Sequence, residues 1–253
     1  MTAPTYAGEY STIAMTRTDA GVLEVRLHSD GGPFRFSAAA RTQLIDAFQR
    51  IGADRANRVV ILTGTGDSWC AEFDRSPAVS PDPSLTLAER WGVQFREGRR
   101  LGAALLDVDV PMIAAVNGPA LIHSEYLLTC DIILAAQGAA FQDKPHLDNG
   151  VSPTDGVHVL WPDVLGSVRG RYFLLTQQRI EAAEALALGV CNEVLPAGDL
   201  LPRAHAIAQK LATQPDQTLR GARVGLTQRL KRLVAADLPI GLALESVSAL
   251  AKG

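Results

Sequence analysis

Apolar residues change their period along this chain, from alternation and short solid runs near the N-terminus to helical spacing beyond Trp161. Thr12 to Thr16 and Val22 to Leu27 alternate on either side of Thr18-Asp19-Ala20-Gly21, which predicts a hairpin with a short turn. Ser37 is placed to cap a helix whose apolar positions Leu44, Ile45, Phe48 and Ile51 share one face, so the helix is expected to run to about Ile51. Arg58 to Thr63 (RVVILT) is a solid apolar run, the pattern of a strand buried on both faces. A loop from Ser76 to Ser84 with three prolines follows, then a helix from about Leu85 to Leu106.

Ile113 to Val116 (IAAV) predicts a second interior strand, closed by the turn residues Asn117-Gly118-Pro119. A helix is expected near Ser124 and a strand from Asp131 to Ala135, which together make a crossover unit. Ligands collect where loops and helix N-termini gather at one end of such strands, and the stretch from Ile113 to Trp161 holds His123, His146 and Asp155. Beyond it the spacing is helical over Gly166 to Thr176, Glu181 to Leu188, Leu200 to Thr213, Thr218 to Ala235 and Leu238 to Lys252. Strands lead and helices follow, an α/β chain.

Composition narrows the function classes. With 253 residues, 47% of them hydrophobic, the chain can bury one full-sized core. A net charge of -3 gives no general attraction to nucleic acid or to an anionic membrane, and no apolar run in the sequence suggests a membrane span. Cys70, Cys130 and Cys191 show no paired spacing, and the N-terminus lacks the pattern of a signal peptide, so a reducing cytoplasm is expected. Gly64 to Asp67 (GTGD) lacks the third glycine of a dinucleotide loop, and no GxSxG elbow is present. The acids and histidines show no metal-ligand spacing, so no metal is expected. Arg220, Arg223, Arg229, Lys231 and Arg232 cluster on one C-terminal helix, which reads as a solvated face.

The order RVVILTGTGDSWCAEFD, VPMIAAVNGPAL, CDIILAA, FQDKPHL, GVSPTDG and LLTQQRIEAAEALALGVCNEVL resembles the crotonase (enoyl-CoA hydratase/isomerase) superfamily over nearly the whole chain. Within it HSEYLLTCDIILAA, FQDKPH, PTDGVHVLWPDVLGS and RGRYFLLT are closer to β-diketone hydrolases of the 6-oxocamphor hydrolase type. The resemblance implies a spiral of ββα units in two sheets over residues 1–198, with a helical region over 199–253 that packs trimers or dimers of trimers. It implies a cofactor-free enzyme whose partner is a small-molecule diketone.

Departures from the acyl-CoA pattern sharpen this. The glycine run after the NGxAL turn is replaced by Ile122-His123, and of the two hydratase glutamates the first aligns with Glu125 while the second falls on His146. Phe73 aligns with the other backbone donor of the superfamily's oxyanion hole, with Glu72 where glycine is usual; a non-proline residue keeps its N–H. His146 is a candidate base toward water, Asp155 its orienting carboxylate, and His123 a donor to the tetrahedral oxyanion. Glu125 lies about 200° around a helix from His123, so His123 is preferred over it. Glu245 matches a carboxylate that reaches the pocket in the diketone branch, and Phe34 and Phe36 are expected to line that pocket with Ile122 and Phe73. A tryptophan is frequent near Phe36 in that branch, and phenylalanine cannot replace its N–H donor. His158 is expected to pack. An acyl-CoA hydratase or isomerase and an inert binding protein on the same scaffold are the alternatives.

Overall fold

The computed structural model describes residues 2–76, 82 and 84–251. β1 (Ile13–Arg17) and β2 (Val22–Leu27) form the antiparallel hairpin, with Met15 opposite Val25. β3 (Arg35–Phe36) leads into α1 (Ala38–Ala53), where the Ser37 hydroxyl accepts the Ala40 N–H at 3.0 Å and caps the first turn. β4 (Val59–Thr63) and β5 (Glu72–Phe73) come next, then α2 (Leu87–Asp107), opened by a capping box between Thr86 and Glu89. β6 (Met112–Val116), β7 (Ile132–Ala136) and β8 (Ala140–Phe141) precede α3 (Val157–Leu165) and α4 (Ser167–Thr176). The chain finishes with β9 (Ile180–Glu181), α5 (Ala182–Ala187), β10 (Glu193–Leu195), α6 (Ala197–Ala212) and α7 (Asp216–Ala251).

The main sheet has the order β1-β2-β4-β6-β7-β10 and is parallel from β2 onward. Each return of the chain adds a strand here and a few extended residues to a second, narrower layer, where Cys70, Ala120 and Phe141 sit side by side in parallel bridges. The pairs β3-β5 and β8-β9 flank those bridges, so the expected ββα spiral is what the chain forms. Every residue of β4 and β6 is buried, and alternate side chains go to opposite faces. Val60, Leu62, Ala114 and Val116 join the core containing Phe48 and Leu105, whereas Val59, Ile61 and Ile113 pack against Leu200, Ala204 and Ala208 of α6. Solid apolar runs are therefore required in both strands.

The C-terminus departs from expectation in three ways. The two helices expected over Thr218 to Ala235 and Leu238 to Lys252 are one continuous helix, α7, with Pro239 inside it; residues 252 and 253 lie outside the described residues, as do 77–81 and 83 of the proline-rich loop. Pro239 lacks the N–H that the Ala235 carbonyl would take, and the packing of α7 along α2 and α3 outweighs that loss. The arginines are not all on a solvated face. Arg223 is buried, bonded to Asp131 at 2.6 Å and to the Val108 and Thr129 carbonyls, and Arg220 is buried against Asp109 and Asp216. Finally, α7 is long and apolar enough, by length and composition, to cross a membrane (mean hydropathy 1.6 over 18 residues). Leu238 and Leu242 of this helix lie in the core, and 28% of the apolar window is buried.

Candidate active site

The turn after β6 fixes where the site begins. The Asn117 side chain ties Gly64, Gly66 and Ser68 together, and a Cβ on Gly118 would lie 1.8 Å from the Asp67 carbonyl oxygen, so only glycine fits there. Residues 120–124 then run beside 140–144: Ala120 N–H donates to Ala140, Lys144 N–H to Leu121, and the Ser124 hydroxyl to Gln142. This brings His123 close to the loop carrying Asp143 and His146. Gln177, at the end of α4, holds that loop from outside, donating to the Asp143 and Lys144 carbonyls and accepting from the Asp148 N–H.

His123 occupies the left-handed region (φ 51°, ψ 39°), unusual for a residue with a Cβ and worth roughly 1–3 kcal/mol of strain. Its ring is held between two aromatics, stacked on Tyr126 at 4.8 Å and tilted over Phe36 at 4.1 Å. This local geometry overturns the helical-wheel argument against Glu125. Ser124–Thr129 is a 3-10 helix and His123 precedes it as a left-handed cap, so the two side chains meet: His123 Nδ1 lies 2.9 Å from Glu125 Oε1. With Nδ1 taken up by Glu125, Nε2 is the ring nitrogen left to meet a substrate.

His146 has carboxylates on both sides. Nδ1 lies 2.6 Å from Asp143 Oδ1, while Nε2 lies 3.5 Å from Asp155 Oδ2 and 3.9 Å from Glu245 Oε1. Asp155 Oδ2 is also 3.5 Å from His123 Nδ1, so one carboxylate is shared by two imidazoles. Burial alone would lower the pKa of His146, but Asp155 and Asp143 outweigh it and push it up to about 11. A ring that holds its proton through the neutral range is not the base expected from an ordinary imidazole. Burial opposes ionisation of Asp155 too, yet His146 beside it drives the carboxyl below its usual range. At the turn into α3, Gly156 is the N-cap, without a side-chain cap bond, and Asp155 Oδ1 has no partner among the described residues.

Burial, then Asp155, pushes Glu245 up to about 8 and raises Glu125 as well. Glu245 comes from α7, which approaches closely because residue 241 is glycine; a Cβ there would meet His158 Cε1 and the Thr154 carbonyl, each at 2.2 Å. His158 packs as expected.

These groups open on a cavity of about 850 Å³ lined by His123, His146, Asp155 and Glu245 together with Phe36, Phe73 and Trp91. Phe34 and Ile122 do not reach it. Phe34 is buried behind Phe36 in an edge-to-face contact at 6.4 Å, and Ile122 lies in the core with its N–H given to the Cys70 carbonyl at 3.1 Å. Asp143 entered the sequence reading only as a fallback partner of His146, although its spacing of three from that histidine was an available signal. Arg41 and Trp91 escaped it entirely, being set by how α1 and α2 pack.

Two groups of side chains could hold a cation by donor type: His123, Glu125 and Asp155, and His146, Asp155 and Glu245, with donor atoms within 4.8 Å of one another in each. In the second, Asp143 on the far ring nitrogen is the kind of partner that metal-binding histidines have. The same atoms serve equally as a proton-transfer cluster.

A parallel spiral with polar groups on the Asn117 turn and the loop after β8 defines the crotonase fold class. Residues 17–245 match the enoyl-CoA hydratase/isomerase family, and the chain belongs to it. A β-diketone hydrolase from the cyanobacterium Anabaena sp. PCC 7120, solved bound to (S)-3-oxocyclohexyl acetic acid, is 48% identical, with 98% of each chain covered and a TM-score of 0.93. An enoyl-CoA hydratase/isomerase from Mycobacterium paratuberculosis is 27% identical over 94% of each chain, with a TM-score of 0.82. A probable peroxisomal enoyl-CoA hydratase of Arabidopsis thaliana is 27% identical over 91% of this chain and 81% of its own.

Proposed function

We propose that this protein is a cofactor-independent hydrolase that opens cyclic 1,3-diketones by cleaving a carbon–carbon bond. The observation that carries the reading is the cluster of His123, His146, Asp155 and Glu245 on one cavity, with a histidine where a hydratase has its second glutamate. Likeness to the cyanobacterial β-diketone hydrolase supports it.

The gaps of 3.5 and 3.9 Å around His146 Nε2 are wide for direct hydrogen bonds and suit a water shared by Asp155 and Glu245. Asp155 Oδ1 and Glu245 Oε2 are buried acceptors without a partner among the described residues. Ionised Glu245 takes a proton as that water adds to the carbonyl carbon, while His146, charged throughout, and Asp155 hold the nucleophile. The oxyanion forms against His123 Nε2–H. Collapse breaks the bond to the α-carbon, whose electron pair becomes an enolate with the second carbonyl, and Glu245 returns the proton to that carbon. A keto acid leaves. A simple ketone would have to expel an unstabilised carbanion.

Acyl-CoA hydration is the reading that the Arabidopsis and Mycobacterium relatives suggest, but it needs a second glutamate, and Glu125 is spent on His123. Purified protein tested against a panel of cyclic 1,3-diketones and short enoyl-CoA thioesters, with nothing added, decides between them. Ring opening is expected; thioester hydration without diketone cleavage would overturn the proposal.

A further inference from the structure

The reaction places negative charge in two positions in turn, first on the hydrated carbonyl and then on the enolate oxygen three atoms away. His123 answers the first. Phe36 and Phe73, which pack beside the His123 ring, have no side-chain donor for the second.

Arg41, Arg75 and Arg90 line that cavity beside His146; Arg75 and Arg90 are exposed, whereas Arg41 of α1 is built into the wall. It is 7% exposed, its Nε donates to Glu97 Oε2 at 2.7 Å and its Nη1 to the Gln94 side-chain oxygen, both from α2. The Glu97 carboxylate is held in turn by the Thr42 hydroxyl at 3.2 Å. Nη2, with two N–H groups, makes no hydrogen bond to any described residue. A buried arginine serving only to join two helices would be expected to turn its planar fork on the carboxylate with both nitrogens. This one meets Glu97 through a single nitrogen and keeps an edge of the guanidinium for something else.

We propose that Arg41 binds the second carbonyl of the substrate and takes up the charge of the departing enolate, so that the cavity selects 1,3-diketones through the anion they release. The assignment rests on the diketone-hydrolase reading above, and it supplies the polar contact that Phe36 cannot make. Binding the anion requires no change in Arg41: its N–H groups are already aimed by Glu97 and Gln94, and preorganised donors stabilise a developing charge best.

The test uses a stable stand-in for the enolate. Dimedone, ionised at neutral pH, carries one negative charge over two oxygens in a 1,3 relation, and cyclohexanone is its neutral comparison. Calorimetry with wild type, Arg41→Gln and Arg41→Lys should show the dimedone anion weakened about tenfold to a hundredfold in the glutamine variant, as expected for a lost charged hydrogen bond. Cyclohexanone should bind both proteins alike, and lysine should recover part of the anion affinity. A simple carboxylate, cyclohexane acetate, separates recognition of the enolate from recognition of the product acid: if only the acetate depends on Arg41, the proposal is overturned. Equal loss of dimedone and cyclohexanone, or no loss of either, also overturns it. Should wild type open no diketone yet bind dimedone through Arg41, the proposed reaction falls and the anion site stands. Should wild type and the glutamine variant open diketones equally well, the reverse holds.

Discussion

Replacing Glu245 by glutamine should make the protein more stable and less active, and the pH dependence of both effects is set by the structure. The carboxyl is buried and pushed from an ordinary 4.5 to about 8 by burial and by Asp155. At ~1.4 kcal/mol per pH unit, that rise amounts to roughly 5 kcal/mol favouring the neutral acid in the folded protein, an upper figure because Asp155 and His146 titrate with it. The sign follows from proton uptake. Between pH 4.5 and about 8 the folded state binds the proton that the unfolded state has released, so this group's contribution is complete below 4.5 and is lost as pH rises through 8. Glutamine stays neutral and escapes the loss. Urea unfolding of wild type and Glu245→Gln should therefore give equal stabilities near pH 4.5 and a variant several kcal/mol more stable at pH 9, with the same slope against urea. In diketone cleavage, wild-type kcat should rise with pH through about 8 as the carboxylate forms, and the variant should lack that limb. A variant less stable at pH 9 than at pH 4.5, relative to wild type, would refute the reasoning.

His123→Ala should lower kcat by roughly a hundredfold or more with the fold intact, because one preorganised donor is lost; unchanged kcat would remove it from the mechanism. His146→Ala, Asp155→Asn and the double variant should lose similar activity, since both hold one water at a shared 3.5 Å contact; losses that multiply would mean separate roles. Dialysis against a chelator should leave activity unchanged, and loss restored by a divalent cation would assign the two His–carboxylate groups to a metal instead. Light scattering should report a trimer or a dimer of trimers, with a monomer at micromolar concentration as the contrary result.

The strands were legible because burial on both faces leaves no choice of residue: RVVILT and IAAV read as interior strands, and β4 and β6 are buried at every position. His123, His146 and Asp155 were legible because one short stretch carries them and the turn at Gly118 fixes its path. What stayed hidden depends on conformations that a regular period does not describe. His123 adopts a left-handed backbone, so counting degrees around a helix separated it from Glu125, which it touches. The C-terminal helices expected to part between Ala235 and Leu238 run on as one because α7 packs along α2 and α3, and the buried Arg220 and Arg223 meet Asp109 and Asp131, far away in sequence. The base strength of His146 was misjudged for the same reason: its partner Asp143 is close in sequence, but Asp155 and Glu245 reach it only through the loop into α3 and through α7.

The central claim is that water cleaves a carbon–carbon bond between two carbonyls. Incubating the protein with a cyclic 1,3-diketone in ¹⁸O-labelled water, at a pH above 8 and without cofactors, and weighing the product by mass spectrometry tests it most directly. The account predicts a ring-opened keto acid with the label in its carboxyl group, formed by wild type and formed far more slowly by His123→Ala. Unopened diketone, or a product hydroxylated with its ring intact, would contradict it.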